Sequence, residues 1–175
     1  MRAIGFAGFS GAGKTTLIVR LIPEFNRRGL SVSTIKHAHH GFDLDQPGKD
    51  SYSHRAAGAH EVLVASANRL ALMRELRGAP EPSLAELLRL LAPVDLVLIE
   101  GFKRDSLPKI EVYRTANGKP AIHPQDDRIV ALISDCDDPP ARLPHAPIDD
   151  IAAAADLVLA HAKPVAAILA RLERS

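Results

Sequence analysis

Apolar positions along this chain switch repeatedly between strand-like and helix-like spacing. Ala3-Ile4-Gly5-Phe6-Ala7 is a short unbroken apolar run of strand length, and Leu17, Ile18, Leu21, Ile22 and Phe25 then recur with helical period. The helix is predicted from residue 14 to about residue 28, stopping at Gly29, with a kink at Pro23, which lacks a backbone donor. Residues 30–36 alternate and are rich in β-branched side chains, which predicts a second strand; the polar segment 37–50 reads as a functional loop and 51–59 as a short helix. Residues 61–65 and 70–74 read as two strands joined by Ser66-Ala67-Asn68-Arg69, a hairpin expected to extend the sheet.

Beyond a polar turn, Ser83 is placed to cap a helix whose apolar face is Leu84, Leu87, Leu88 and Leu91. Val94-Asp95-Leu96-Val97-Leu98-Ile99 is nearly continuous in apolar character, as in a parallel strand covered on both faces, and is expected near the sheet centre. Residues 109–114 and 129–134 are two further predicted strands, Asn117-Gly118 a turn, and 139–147 a proline-rich surface connection. Two helices, 149–162 and 164–174, close the chain, the second with Val165, Ile168, Leu169 and Leu172 on one face. This order predicts a single domain over residues 1–175 with an α/β fold: three layers, α/β/α, around a mixed and mostly parallel sheet.

Between the first strand and first helix stands Gly8-Phe9-Ser10-Gly11-Ala12-Gly13-Lys14-Thr15, the phosphate-binding loop pattern of P-loop NTPases, in the strand-loop-helix context that the pattern requires. Its glycines permit backbone conformations in which successive N–H groups, from Ser10 and Ala12 as well as the glycines, turn inward around a phosphate at a helix N-terminus. Lys14 is then expected on the β- and γ-phosphate oxygens and the Thr15 hydroxyl on Mg²⁺, with Thr16 following in the first turn. The implied ligand is a nucleoside triphosphate.

Composition narrows the setting. The chain has 175 residues, 46% apolar and 25% charged, with a formal net charge of +1 and only 4% aromatic residues. Neither a basic stripe nor a stacking platform is evident, so nucleic acid is not an expected partner. No apolar run reaches the roughly 20 residues that span a bilayer, so no membrane association is expected. One cysteine, Cys136, and a chain starting directly with a strand predict a cytoplasmic protein.

In open α/β sheets ligands sit at the carboxyl ends of the strands, which singles out Lys36-His37, Glu100-Gly101 and Asp135 beside the glycine loop. Glu100 is the candidate acidic group for the Mg²⁺ shell or an attacking water, and hence the candidate catalytic residue. Histidines 37, 39 and 40 crowd one loop, yet lack the spacing of a closed zinc site. Lys36, Lys49, Arg55, Lys103, Arg104 and Lys109 are placed to make the carboxyl edge positive.

Several stretches together carry a family resemblance. The loop through Thr16-Leu17, Ile35-Lys36-His37-Ala38-His39-His40 with Phe42-Asp43, Asp45 and Pro47-Gly48-Lys49-Asp50-Ser51, then Arg55, Ala57-Gly58-Ala59, Ile99-Glu100-Gly101-Phe102-Lys103 and Pro108-Lys109-Ile110-Glu111-Val112 resemble the molybdopterin-guanine dinucleotide biosynthesis adapter family. The resemblance implies a GTP-binding protein, weakly hydrolytic if at all. Such a protein assists the molybdopterin guanylyltransferase that attaches GMP to molybdopterin, meets molybdopterin or molybdenum cofactor, and dimerises with itself through sheet extension. By position, Gly8 to Thr16 would hold phosphates and Mg²⁺, Glu100 would be the acidic partner, and residues 37–51 would face ligand or partner enzyme. Asp135 is read as the acceptor for guanine N1–H and the 2-amino group. Phe9 and Ser10 stand where several dimeric relatives carry an extra activating lysine, so fast turnover is not expected. A small-molecule kinase and a metallochaperone GTPase using the histidine cluster are the alternative readings.

Overall fold

The computed structural model describes residues 1–38, 41–136 and 142–174. They form two compact units, one of residues 1–37 with 84–175 and one of residues 38–83.

The larger unit is built on a seven-stranded sheet. Strands β1 (Arg2–Ala7), β2 (Val32–Lys36), β5 (Leu96–Glu100), β6 (Lys109–Tyr113), β7 (Ile129–Ser134) and β8 (His145–Pro147) lie in the order β2-β5-β1-β6-β7-β8, all neighbours parallel. The two-residue β9 (Lys163–Pro164) pairs antiparallel with the start of β1, which makes the sheet mixed. Helices α1 (Lys14–Arg27) and α4 (Ile151–His161) cover one face. There Leu17, Ile18, Leu21 and Phe25 of α1 and Ala154, Ala155 and Val158 of α4 close over Ile4, Phe6, Leu98, Ile110 and Ile133. On the other face α3 (Leu84–Leu90) and α5 (Val165–Leu172) set Leu84, Leu88, Val165 and Ile168 against Ala3, Ile35, Val97 and Ile99. This is the expected three-layer, P-loop NTPase-type α/β fold, and it arises because each interior strand carries apolar residues on both faces. Helix α1 runs uninterrupted through Pro23, which lies on its exposed side.

The smaller unit holds α2 (Asp50–Ala56) and the hairpin of β3 (Glu61–Ala65) and β4 (Leu70–Arg74). Contrary to expectation, the hairpin does not extend the large sheet but forms a two-stranded sheet of its own, with Leu63 opposite Leu72 and Glu61 opposite Arg74. Period-two alternation identifies a strand but not its partner. The proline-rich connection also differs from expectation, because His145–Pro147 adds the edge strand β8 beside β7. An edge needs only one row of donors, so Pro147 is tolerated there.

Register decides what meets at the carboxyl edge. Lys36 pairs with Glu100, and Glu100 with Phe6, so both charged residues sit level with the last residues of β1 before the loop. Asp95 lies before β5 at the opposite edge, where its carboxylate accepts from the Ser31 amide at 2.8 Å and hydroxyl at 2.6 Å.

Candidate functional site

The glycine loop occupies residues 8–13 between β1 and α1, at the carboxyl edge of the sheet. Gly8 is required for steric reasons: φ is +148°, and an added Cβ would lie 2.5 Å from the Val112 carbonyl oxygen. The loop ends on Gly13, the N-cap of α1, which supplies no side-chain acceptor, and the first turn contains no acidic residue. The helix therefore presents its first amides with no side-chain cap and no acid of its own at its positive end, which favours an anion. Ser10 and Gly11 are exposed, Ala12 is buried beneath them, and Thr15 and Thr16 are exposed on the first turn.

Lys14 folds back over the loop, donating to the carbonyls of Gly8 at 2.9 Å and Phe9 at 3.0 Å. Burial pushes its ammonium pKa down from the ordinary value; Glu100 opposes this, and Lys103 and Lys36 add to it. Lys14 thus sits among charges of both signs.

On the β5 side, the Thr15 hydroxyl lies 3.0 Å from both carboxylate oxygens of Glu100. Lys36 Nζ completes the cluster, 3.5 Å from Glu100 Oε2 and 3.4 Å from Thr15 Oγ1. The strand after Glu100 turns sharply through Gly101 at φ +103° and Phe102 at φ +49°. A Cβ on Gly101 would stand 2.5 Å from the His37 Cβ, so only glycine lets these chains pass. His37 donates its amide to the Glu100 carbonyl at 2.9 Å and packs its ring 5.1 Å from that of Phe102.

On the β6 side, a short 3₁₀ turn, Thr115–Asn117, lies against the loop. Asn117 Nδ2 donates to the Ser10 carbonyl at 3.1 Å. Asp135, at the end of β7, uses Oδ1 to accept from the Thr115 amide at 2.8 Å and hydroxyl at 3.1 Å, while its Oδ2 lies 3.9 Å from Arg114 Nη1. The Thr115 amide bond, foremost, holds the Asp135 carboxyl below the ordinary range, so it remains ionised. Glu100, Thr15, Lys36, His37 and Asp135 thus lie with the loop at the carboxyl edge of the sheet. Arg114 and Asn117 were missed, and only the signal of residues following a strand, applied to β6, would have raised them.

The proposed positive edge is altered in one respect. Lys109 is wholly buried and donates to the Asp105 carbonyl at 2.7 Å, so it adds no charge to the surface. Within the smaller unit, Arg55 pairs with Asp43 at 2.7 Å and Glu75 at 3.1 Å and lies over the Tyr52 ring. His39 and His40 fall outside the described residues. Among the described residues, no group of three His, Cys, Asp or Glu side chains is arranged to hold a metal ion, and no helix is long and apolar enough to cross a membrane.

Comparison with known proteins adds a family. The family model described as molybdopterin guanine dinucleotide synthesis protein B matches residues 3–135. The chain is 41% identical over 161 residues, spanning 89% of this chain and 90% of the relative, to the molybdopterin-guanine dinucleotide biosynthesis adapter protein of Escherichia coli strain K12. It is 34% identical to a probable adapter protein of the same description from Bacillus subtilis strain 168, over 72% of each chain. A crystal structure of molybdopterin-guanine biosynthesis protein B superimposes with a TM-score of 0.71 at 28% identity, over 90% of this chain and 98% of that one. Bacillus subtilis MobB superimposes with a TM-score of 0.70, also at 28% identity, over 93% and 99%.

Proposed function

Because this chain belongs to the molybdopterin guanine dinucleotide synthesis protein B family, we propose that it is a GTP-binding adapter. In this reading it assists the guanylyltransferase that attaches GMP to molybdopterin. The observation that carries nucleotide binding is the Thr15 hydroxyl held 3.0 Å from both Glu100 oxygens at the mouth of a helix with no side-chain cap and no acidic residue in its first turn. Hydroxyl and carboxylate are hard oxygen donors, and Mg²⁺ takes one or two such protein groups along with phosphate oxygens and water. Thr15 and Glu100 are therefore the residues that would hold Mg²⁺, which when bound would neutralise phosphate charge.

The chain's own residues divide the remaining work. Loop amides from residues 8–16 bind the phosphates, and Lys14 exchanges its carbonyl partners at Gly8 and Phe9 for phosphate oxygens. Lys36, beside Glu100, keeps that carboxylate aimed at Thr15. Asp135 supplies the acceptor that distinguishes guanine from adenine through Oδ2, since Oδ1 already accepts from the Thr115 amide and hydroxyl; an unchanged GTP-over-ATP preference in Asp135→Asn would remove this role. Hydrolysis is slow, since Phe9 and Ser10 give the loop no second cation. The adapter acts as a homodimer through the hairpin, where Leu63, Leu70 and Leu72 are exposed on a two-stranded sheet too small to stand alone. Placing Lys at both Leu63 and Leu72 is expected to yield monomer by light scattering, and a persisting dimer would reject that surface.

Equilibrium binding of GTP and ATP in the presence of Mg²⁺ tests the reading. GTP preference, lost in Lys14→Ala, is the expected result, together with faster molybdopterin guanine dinucleotide formation when the protein is added to the guanylyltransferase. Preference for ATP would replace the adapter with a kinase.

A further inference from the structure

The β6 flank of the loop carries a cation that the nucleotide reading has not used. Arg114 leaves the end of β6 with its guanidinium over the loop: Nε lies 3.2 Å and Nη2 3.9 Å from the point where a Cβ on Gly13 would stand. The contact to Asp135 Oδ2, at 3.9 Å, is too long for a hydrogen bond, and the Arg114 side chain is 36% exposed. The backbone beneath it is firmly held. Thr115 donates twice to Asp135, and Asn117 donates to the Ser10 carbonyl, with its Oδ1 3.1 Å from a Cβ position on Gly11. A planar five-donor fork is thus fixed at its root and partly exposed at its tip, beside the amides that close the loop.

We propose that Arg114 is a phosphate-contacting residue of the nucleotide site, serving the part of the phosphate chain nearest the nucleoside. This rests on the nucleotide-binding reading above. The position follows from topology: Thr15 and Glu100 lie on the β5 side of β1, whereas Arg114 comes from β6 on the other side. With the metal-binding oxygens at the β5 end, a phosphate chain crossing the loop has its opposite end under the guanidinium. Arginine binds phosphate oxygens in pairs, so one side chain can orient that end as well as attract it. Asp135 holds the turn from which Arg114 projects and keeps a counter-charge near the guanidinium.

The test is calorimetric titration of the full chain and of Arg114→Gln and Arg114→Lys with GTP, GDP and guanosine, with and without Mg²⁺. Arg114→Gln is expected to weaken GTP and GDP by the same factor, about 10- to 100-fold for a lost charge-assisted pair, with or without Mg²⁺. Guanosine affinity and the melting temperature stay unchanged, and Arg114→Lys recovers part of the loss. An unchanged GDP affinity, or an equal loss for guanosine, overturns the proposal while leaving nucleotide binding intact. Failure of the unaltered protein to bind any nucleotide overturns both.

Discussion

The two flanks of the glycine loop are built in different ways. On the β5 flank, Glu100 and Lys36 are the last residues of adjacent parallel strands in direct register, and Thr15 lies on the helix that follows the loop. Regular secondary structure alone delivers the three side chains to one place. On the β6 flank, Arg114, Thr115 and Asn117 belong to an irregular turn, fixed by side-chain bonds to Asp135 and to the loop backbone. The first flank is held by the ladder between β5 and the edge strand β2; the second depends on a few polar contacts at the surface. On the proposed nucleotide reading, the first flank would neutralise charge and the second would orient the ligand.

The largest blow to both flanks at once is expected from Lys14→Ala, with triphosphate affinity falling at least about 100-fold for the loss of a partly buried cation bridging the loop. Retained affinity in a folded variant, measured by calorimetry, would show that the loop does not hold phosphate. Glu100→Gln separates the flanks. It is expected to lower affinity by roughly 10-fold with Mg²⁺ and little without it, since one charge-assisted interaction is lost. A Mg²⁺-independent loss would mean that Glu100 acts on the loop rather than on the ion. Asn117→Ala probes the β6 flank through the Ser10 carbonyl, and a neutral hydrogen bond worth about 1 kcal/mol gives a loss of only about 5-fold. This loss should be the same for GTP and GDP; an effect confined to GTP would move Asn117 toward the other flank.

Lys109 provides a control away from both flanks. Burial pushes its pKa down to about 8, the nearby Arg128 charge reinforcing the effect. Between pH 8 and its ordinary 10.5, the unfolded chain therefore binds the proton that the folded chain has released, and Lys109 makes stability rise with pH across that window. Lys109→Met should flatten that rise in urea unfolding at pH 7.5 and 10 and leave nucleotide affinity unchanged. Identical slopes in the two proteins would show that the ammonium is better solvated than its burial indicates.

Much of this edge was legible in the chain. An apolar run, three glycines before Lys14-Thr15, and a helical stripe are local patterns, so β1, the loop and α1 follow from nearest neighbours in sequence. Glu100 was legible because a charge directly after a continuous apolar strand must leave the sheet at its end. Arg114 gave a weaker signal: the alternating pattern ran through residue 114, which hid that it follows the strand, and only its position over Gly13 sets it apart. Lys109 misled in the opposite direction. Its charge suggested the surface, while its place level with Gly5, beneath residues 105 and 107, buries it among carbonyl acceptors.

By itself the sequence determined most of the strands and helices, to within a few residues at their ends, and that a glycine-rich loop of the phosphate-binding pattern stands at the first strand-helix junction. These follow from periodicity, side-chain volume and backbone freedom, all of which act over a few residues. Tertiary structure decided strand order, the separate pairing of the hairpin, the edge role of His145–Pro147 and the meeting of Arg114 and Asn117 with a loop about a hundred residues earlier. Those depend on which buried faces and unpaired backbone groups find one another once the chain collapses, and contacts at that separation leave no repeat in the sequence that could announce them.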